Sequence, residues 1–341
     1  MKERLDDISF IKTIMMIIIV LCHSCSFYTN QWFSILSPVY SAKYLGEIAS
    51  FLGTFHVHTF VMTSGFIFYY LKFEKNKYNN YKNDIKKRAQ RLLIPYFFTC
   101  ILWIIPITEL FYKYSFKTIF IKYILCTSPS QLWFLIMLFI VFILFEFISN
   151  KIKLSNNNLF IIFILSTLTY GITRYLNINY FQVSNVFKYI PFFYLGGYLY
   201  SFGNKFNIKK SIIILICLII LNITKYIVIP NNENIIYMIL NIFNEQLLSI
   251  IEVIFIYIIC KYFVNNKKIK LNNRIYKLLE NNSFGIYLFH QQIIYFCILL
   301  LNGVVHPIIQ ASISFIVSLI IALCITLLLK KNKTTKFIFG L

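Results

Sequence analysis

Residues 308–329 read IIQASISFIVSLIIALCITLLL, 22 positions without a charge. About 20 apolar helical residues cross a hydrocarbon core roughly 30 Å thick, so a run of this length reads as a membrane span. Working outward with the same ruler gives further runs at 11–28, 48–71, 92–112, 131–149, 159–176, 186–202, 211–230, 242–263 and 283–302. The run at 186–202 is the weakest, being short and holding Lys188 and Pro191. Backbone in lipid must satisfy its own hydrogen bonds, and these runs are too long for single barrel strands. The expected fold class is therefore all-α: a polytopic transmembrane helix bundle of about ten spans. The stretch 116–126 is too short to cross and is expected to lie along the interface.

Composition agrees. The 341 residues are 59% hydrophobic and 13% charged, against roughly 45–50% and about 25% in soluble domains. Soluble globular, disordered, collagen-like and coiled-coil classes are excluded. A net charge of +21 would point to nucleic acid in a soluble protein. Its distribution points elsewhere. With the N-terminus inside, 26 of the 33 Lys and Arg residues fall on one side of the ten-span frame. That is the positive-inside pattern for an even number of spans with both termini cytoplasmic. Removing the span at 186–202 would put the basic cluster at 261–277 outside, which supports keeping it. The clusters at 72–91 and 261–277 also suit contact with anionic lipid. No nucleic-acid partner is expected. Residues 1–341 read as one integral membrane domain, with neither a soluble appendage nor an internal repeat.

The N-terminus imitates a signal peptide, but its leader holds Glu3, Asp6 and Asp7 and no small-x-small site follows. It is expected to remain as the first span. The eight cysteines are scattered, mostly inside apolar runs, where Cys acts as a small hydrophobe. Cys22 and Cys25 flank His23, but no second Cys pair completes a ligand set, so no metal site is expected.

Polar groups at membrane depth are costly and therefore informative. Lys12 and His23 are eleven residues apart, three helical turns plus about 20°, so they share a face of the first span. The second span carries His56, His58, Thr63 and Ser64. At similar depth, its histidines could meet His23 in one cavity. Glu245, Ser249 and Glu252 form one stripe, and Ser283, Tyr287, His290 and Gln291 another. A single Ser, Tyr or Gln of this kind reads as a polar helix contact. An imidazole can accept and return a proton near neutral pH. Glu252 could orient a histidine or balance Lys12. Of only five arginines, Arg88 and Arg91 stand three apart at the cytoplasmic mouth. Arginine makes forked contacts to phosphate that lysine does not, which suits a phosphate-rich cytosolic ligand.

Six motifs now carry a resemblance. They are Asp7-Ile8-Ser9-Phe10-Ile11-Lys12 with Val20-Leu21-Cys22-His23-Ser24, Phe55-His56 with Phe60 and Ser64-Gly65-Phe66, and Lys87-Arg88 with Arg91-Leu92-Leu93-Ile94-Pro95-Tyr96. The others are Gln131-Leu132-Trp133-Phe134-Leu135, Tyr189-Ile190-Pro191-Phe192-Phe193-Tyr194-Leu195-Gly196-Gly197 and Asn282-Ser283-Phe284-Gly285-Ile286-Tyr287-Leu288-Phe289-His290. In this order, over nearly the whole chain, they resemble acyltransferase family 3, the integral membrane enzymes that O-acylate cell-surface glycans. Three departures stand out. Lys12 replaces an Arg found in many members, His58 stands where Pro is expected, and the basic pair is R-x-x-R where some members have R-x-R.

The resemblance implies acyl-CoA, acetyl-CoA or succinyl-CoA, as co-substrate. The implied acceptor is a hydroxyl of a polysaccharide or lipid-linked glycan. It implies His23 as the catalytic residue, as general base or transient acyl carrier. Arg88, Arg91 and Lys12 become the binding cations, and Ser64, Tyr287 or Lys12 the candidate oxyanion stabilisers. His56, His58, Glu252, Ser283 and His290 remain candidate cavity residues. A multi-pass protein of the cell inner (cytoplasmic) membrane is expected. The alternative is a polysaccharide or lipid-linked sugar exporter, as in members resembling an intercellular-adhesin export protein. A flippase has no need of CoA binding, so the arginine pair separates the two readings.

Overall fold

The computed structural model describes residues 5–30, 32–78, 80–206, 214, 235–266 and 271–341. The main helices are α1 (Asp6–Ser26), α2 (Lys43–Gly53), α3 (His56–Tyr69), α4 (Tyr81–Thr99), α5 (Ile105–Tyr112) and α6 (Trp133–Ile148). They are followed by α7 (Asn156–Tyr175), α8 (Val183–Phe202), α9 (Ile235–Asn265), α10 (Arg274–Leu301) and α11 (Pro307–Lys330). Among the described residues every regular element is helical and none is a β-strand, and the fold is an all-α, polytopic helix bundle.

Among the described residues, seven helical stretches are long and apolar enough to cross a membrane: Asp6–Thr29, Lys43–Glu74, Tyr81–Tyr112, Ser130–Ile148, Tyr237–Asn265, Arg274–Leu301 and Pro307–Lys330. They coincide with seven of the ten expected spans. Helices also form at the expected fifth and sixth spans, α7 and α8, but neither is among these seven. The polar groups in α7 (Thr167, Thr169, Thr173, Arg174) and α8 (Ser184, Asn185, Lys188) dilute their apolar content. The seventh expected span, 211–230, lies outside the described residues apart from Ile214.

The third span begins earlier than apolar length alone predicts, because its first turns are basic yet capped. Asn80 Oδ1 accepts from the Asn83 N–H at 3.2 Å, and Asp84 Oδ2 accepts from the Asn80 N–H at 3.1 Å. This reciprocal arrangement satisfies amides that the first helical turn leaves open. It makes the stretch holding Arg88 helical. Pro95 sits inside α4, and a π turn follows at Cys100–Ile104. Such turns shift the register of the residues beyond them.

The chain packs as two compact units. The first comprises Met1–Ile11, His58–Lys87 and Ile136–Lys270; the second comprises Lys12–Val57, Arg88–Leu135 and Leu271–Leu341. In the first unit α3 and α8 cross with almost no side chain between them. A Cβ on Gly65 would strike the Phe193 carbonyl, and one on Gly196 would strike the Met62 carbonyl. Small residues at a crossing let membrane helices approach closely without any hydrophobic drive between them. In the same unit Lys72 Nζ meets Glu146 Oε1 at 3.4 Å and Ser149 Oγ at 2.9 Å, with both charged side chains buried.

In the second unit α10 packs along α11, where a Cβ on Gly285 would strike the Thr326 side chain. The segment expected at the interface forms two short helical turns, Phe116–Ile119 and Phe120–Ile124. Tyr123 and Cys126 are buried, whereas Phe116, Phe120 and Ile124 are exposed. Tyr96 Oη ties this segment down, donating to the Tyr123 carbonyl at 2.7 Å and lying 3.3 Å from Cys126 Sγ. The segment thus has one anchored face and one exposed apolar face.

Candidate functional site

The second unit gathers Lys12, His23, His56, Arg88, Arg91, Ser283, Tyr287 and His290. The first holds His58, Ser64 and Glu252.

His23 lies near the C-terminal end of α1, half-buried. Its Nδ1 is 2.9 Å from Nε2 of His290 on α10, and the two rings meet edge to edge, their planes 17° apart and their centroids 5.0 Å apart. His290 is completely buried. Its other nitrogen, Nδ1, faces the carbonyl oxygens of Ile286 at 3.1 Å and Tyr287 at 2.9 Å. His56, on the first turn of α3, places Nδ1 2.6 Å from the Leu52 carbonyl and lies close enough to act electrostatically on both other rings.

Aromatic and amide groups hold this histidine pair in place. The Trp32 ring lies 5.5 Å from His23 and 4.9 Å from Tyr295 of α10, while Phe33 stacks on Tyr295 at 4.5 Å. Phe33 adopts φ 56, in the left-handed region, where a bulky residue is strained. Strain of this kind persists only where its surroundings enforce it. On α10, Gln292 Oε1 accepts from Trp103 Nε1 at 3.2 Å and from Gln131 Nε2 at 2.9 Å, and Gln131 also donates to the Leu288 carbonyl at 2.8 Å. The π turn that contains Trp103 therefore serves to aim an indole at α10.

Residue type and spacing alone assign no role to Trp32, Trp103, Gln131, Gln292 or Tyr295. Gln131 is visible at the head of its motif, and the Gln291-Gln292 pair inside an apolar span is a signal of polar contact on two sides of α10. Trp32 follows the first span in a segment with no helical period, and nothing local marks its contact with His23.

Several expected cavity groups are satisfied by their own helices. Ser283 Oγ donates to the Glu280 carbonyl at 3.0 Å, and Ser64 Oγ to the Phe60 carbonyl at 2.9 Å. Tyr287 gives its only hydroxyl proton to the Gln131 carbonyl. His58 packs between the rings of Tyr189 at 4.8 Å and Phe192 at 4.5 Å, and Glu252 is buried on α9.

Lys12 lies toward the opposite end of α1. Arg91 and Glu280 are the charged groups acting most strongly on Lys12. Arg88 and Arg91 both lie on α4, but Arg88 is buried whereas Arg91 is exposed, so they do not present a uniform face. At the C-terminal end of α1 an open cavity of about 620 Å³ is lined by groups that include Tyr28, Asn30, Ser41, Lys43, Glu47 and Ser50.

The chain matches the acyltransferase-domain family Acyl_transf_3 over residues 5–329. No curated protein and no solved structure matches it.

Proposed function

The chain belongs to this acyltransferase family, and from that premise we propose that it is a membrane O-acyltransferase. It moves an acyl group, acetyl or succinyl, from acyl-CoA to a hydroxyl of a cell-surface or lipid-linked polysaccharide in the cell inner membrane. The observation that carries this reading is a spacing along one helix. Within one unit α1 presents Lys12, under the influence of Arg91, and then His23 eleven residues on, about 16 Å along the axis. A donor with phosphates at one end and a thioester at the other fits such a spacing. The phosphates meet Lys12, Arg88 and Arg91, and the pantetheine arm runs along α1 toward the imidazole.

His23 takes the proton of the acceptor hydroxyl as the oxygen attacks the thioester carbonyl. The tetrahedral adduct collapses with cleavage of the C–S bond, and the departing thiolate recovers the proton from His23. The products are an ester and free CoA. Being about 16 Å from His23, Lys12 belongs with the phosphates and not with the oxyanion. Tyr287, its proton committed to the Gln131 carbonyl, is not a donor to the oxyanion either. The cavity beyond the end of α1, with its amide, hydroxyl and charged lining, suits a glycan approaching from that side.

The test is a His23→Ala protein, inserted and as abundant as wild type, with surface polysaccharide weighed by mass spectrometry. Loss of the acyl mass is expected. Polysaccharide acylated to the wild-type extent would remove His23 from the mechanism. Export of unmodified glycan by purified protein in vesicles, with no acyl-CoA consumed, would favour the transporter instead.

A further inference from the structure

We propose that His290 is the positioning residue for His23. It holds that imidazole in the tautomer whose outward nitrogen is the base, and it shares the charge created when the base is protonated. The inference rests on the reading of His23 as the base and adds the group that makes it one.

The argument is a proton count. His290 Nδ1 faces two carbonyl oxygens, at 3.1 and 2.9 Å, and carbonyls only accept. That nitrogen therefore carries a hydrogen. A ring wholly removed from water costs least in its neutral form, so Nε2 of His290 holds a lone pair. The 2.9 Å contact between this Nε2 and His23 Nδ1 needs one proton, and only His23 can supply it. Neutral His23 is thus the Nδ1–H tautomer, and its Nε2 carries the free lone pair. The opposite tautomer would put two lone pairs face to face.

When His23 Nε2 takes the acceptor's proton, its Nδ1–H already points at a basic nitrogen. The positive charge spreads through that hydrogen bond onto His290, and from His290 Nδ1–H to the carbonyl dipoles of Ile286 and Tyr287. Return of the Nε2 proton to the CoA thiolate restores both neutral rings, so no proton is gained or lost in the pair. A buried carboxylate serves this purpose for the histidine of a hydrolase triad. Here a second imidazole does so, backed by the peptide oxygens of its own helix. His290 has no exposure at all and touches no substrate, whereas His23 is half-buried and can. The bland alternative is that His290 merely packs α1 against α10.

Full-length His290→Gln, His290→Asn and His290→Leu proteins separate the two. Glutamine sets an acceptor oxygen near the place of Nε2, whereas asparagine sets it near Nδ1, against the carbonyls. Each protein is purified into lipid nanodiscs and its thermal stability measured. It is then assayed with acetyl-CoA, and in parallel succinyl-CoA, on polysaccharide from cells lacking the gene. Expected are a fall in kcat of about 10–100-fold for His290→Asn and His290→Leu, an unchanged KM for the donor, and clear recovery in His290→Gln. Equal losses in Gln and Asn that track thermal stability would overturn the proposal, as would wild-type kcat in His290→Leu. An active His23→Ala protein would instead overturn the underlying reading, so the two failures are distinct.

Discussion

Alanine at Gly196 tests the closest contact in the first unit. Two effects of opposite sign compete. In a helix interior alanine is favoured over glycine by about 1 kcal/mol. Against that, the added Cβ would strike the Met62 carbonyl oxygen and come within 2.5 Å of the Phe66 nitrogen and 3.0 Å of the Gly65 carbonyl carbon. All three are backbone atoms of α3, so no rotamer change relieves the clash and the two helices must part. Overpacking a well-packed site costs about 1–3 kcal/mol, and the upper part of that range applies where backbone must move. The net expectation for Gly196→Ala is a loss of about 1–2 kcal/mol, a factor of roughly 5–30 in the folded-to-unfolded ratio. Gly53→Ala is the control, because a Cβ there meets nothing within 4 Å. It should be neutral or up to about 1 kcal/mol stabilising. The assay is the thermal midpoint of the purified protein in one detergent, read as the fraction remaining monodisperse. Gly65→Ala in the same background should be non-additive with Gly196→Ala, since both part the same helices. A Gly196→Ala protein that melts at or above wild type would refute the direct backbone crossing.

Two further outcomes are expected. Lys72→Met alone should cost up to about 3–5 kcal/mol because it removes the buried ammonium that faces the Glu146 carboxylate, whereas Lys72→Met with Glu146→Leu should recover most of the loss; thermal midpoints check this, and a double variant no better than the single would contradict it. Tyr96→Phe removes one donor from the Tyr123 carbonyl and should cost about 1 kcal/mol with kcat per folded molecule unchanged. A selective loss of turnover there would make the motif tyrosine part of the chemistry.

Much of the candidate site can be read from residue type and period. Lys12 and His23 share a face of α1 because eleven residues return a helix to nearly the same direction. Arg88 and Arg91 stand out as arginines where lysine would serve topology equally well. Other groups are legible as candidates but not in their roles. Ser64 and Ser283 bond to carbonyls of their own helices, a local option that any helical serine has and that sequence cannot exclude. His56 and His58, two residues apart and so about 200° apart around one helix, meet different neighbours: His56 acts on His23 and His290, whereas His58 packs on Tyr189 and Phe192.

The sequence by itself determined the solvent and the class of fold. Apolar length and the small charged fraction depend only on transfer energies summed along the chain, and these require no knowledge of neighbours. It also supplied the residues of the six motifs. Tertiary structure alone decided the pairings. His23 and His290 are 267 positions apart and meet at 2.9 Å, and Gly65 and Gly196, from separate motifs, turn out to be two sides of one crossing. Hydrogen bonds and close packing act over a few ångströms of space, and no period along the chain encodes which faces will share it.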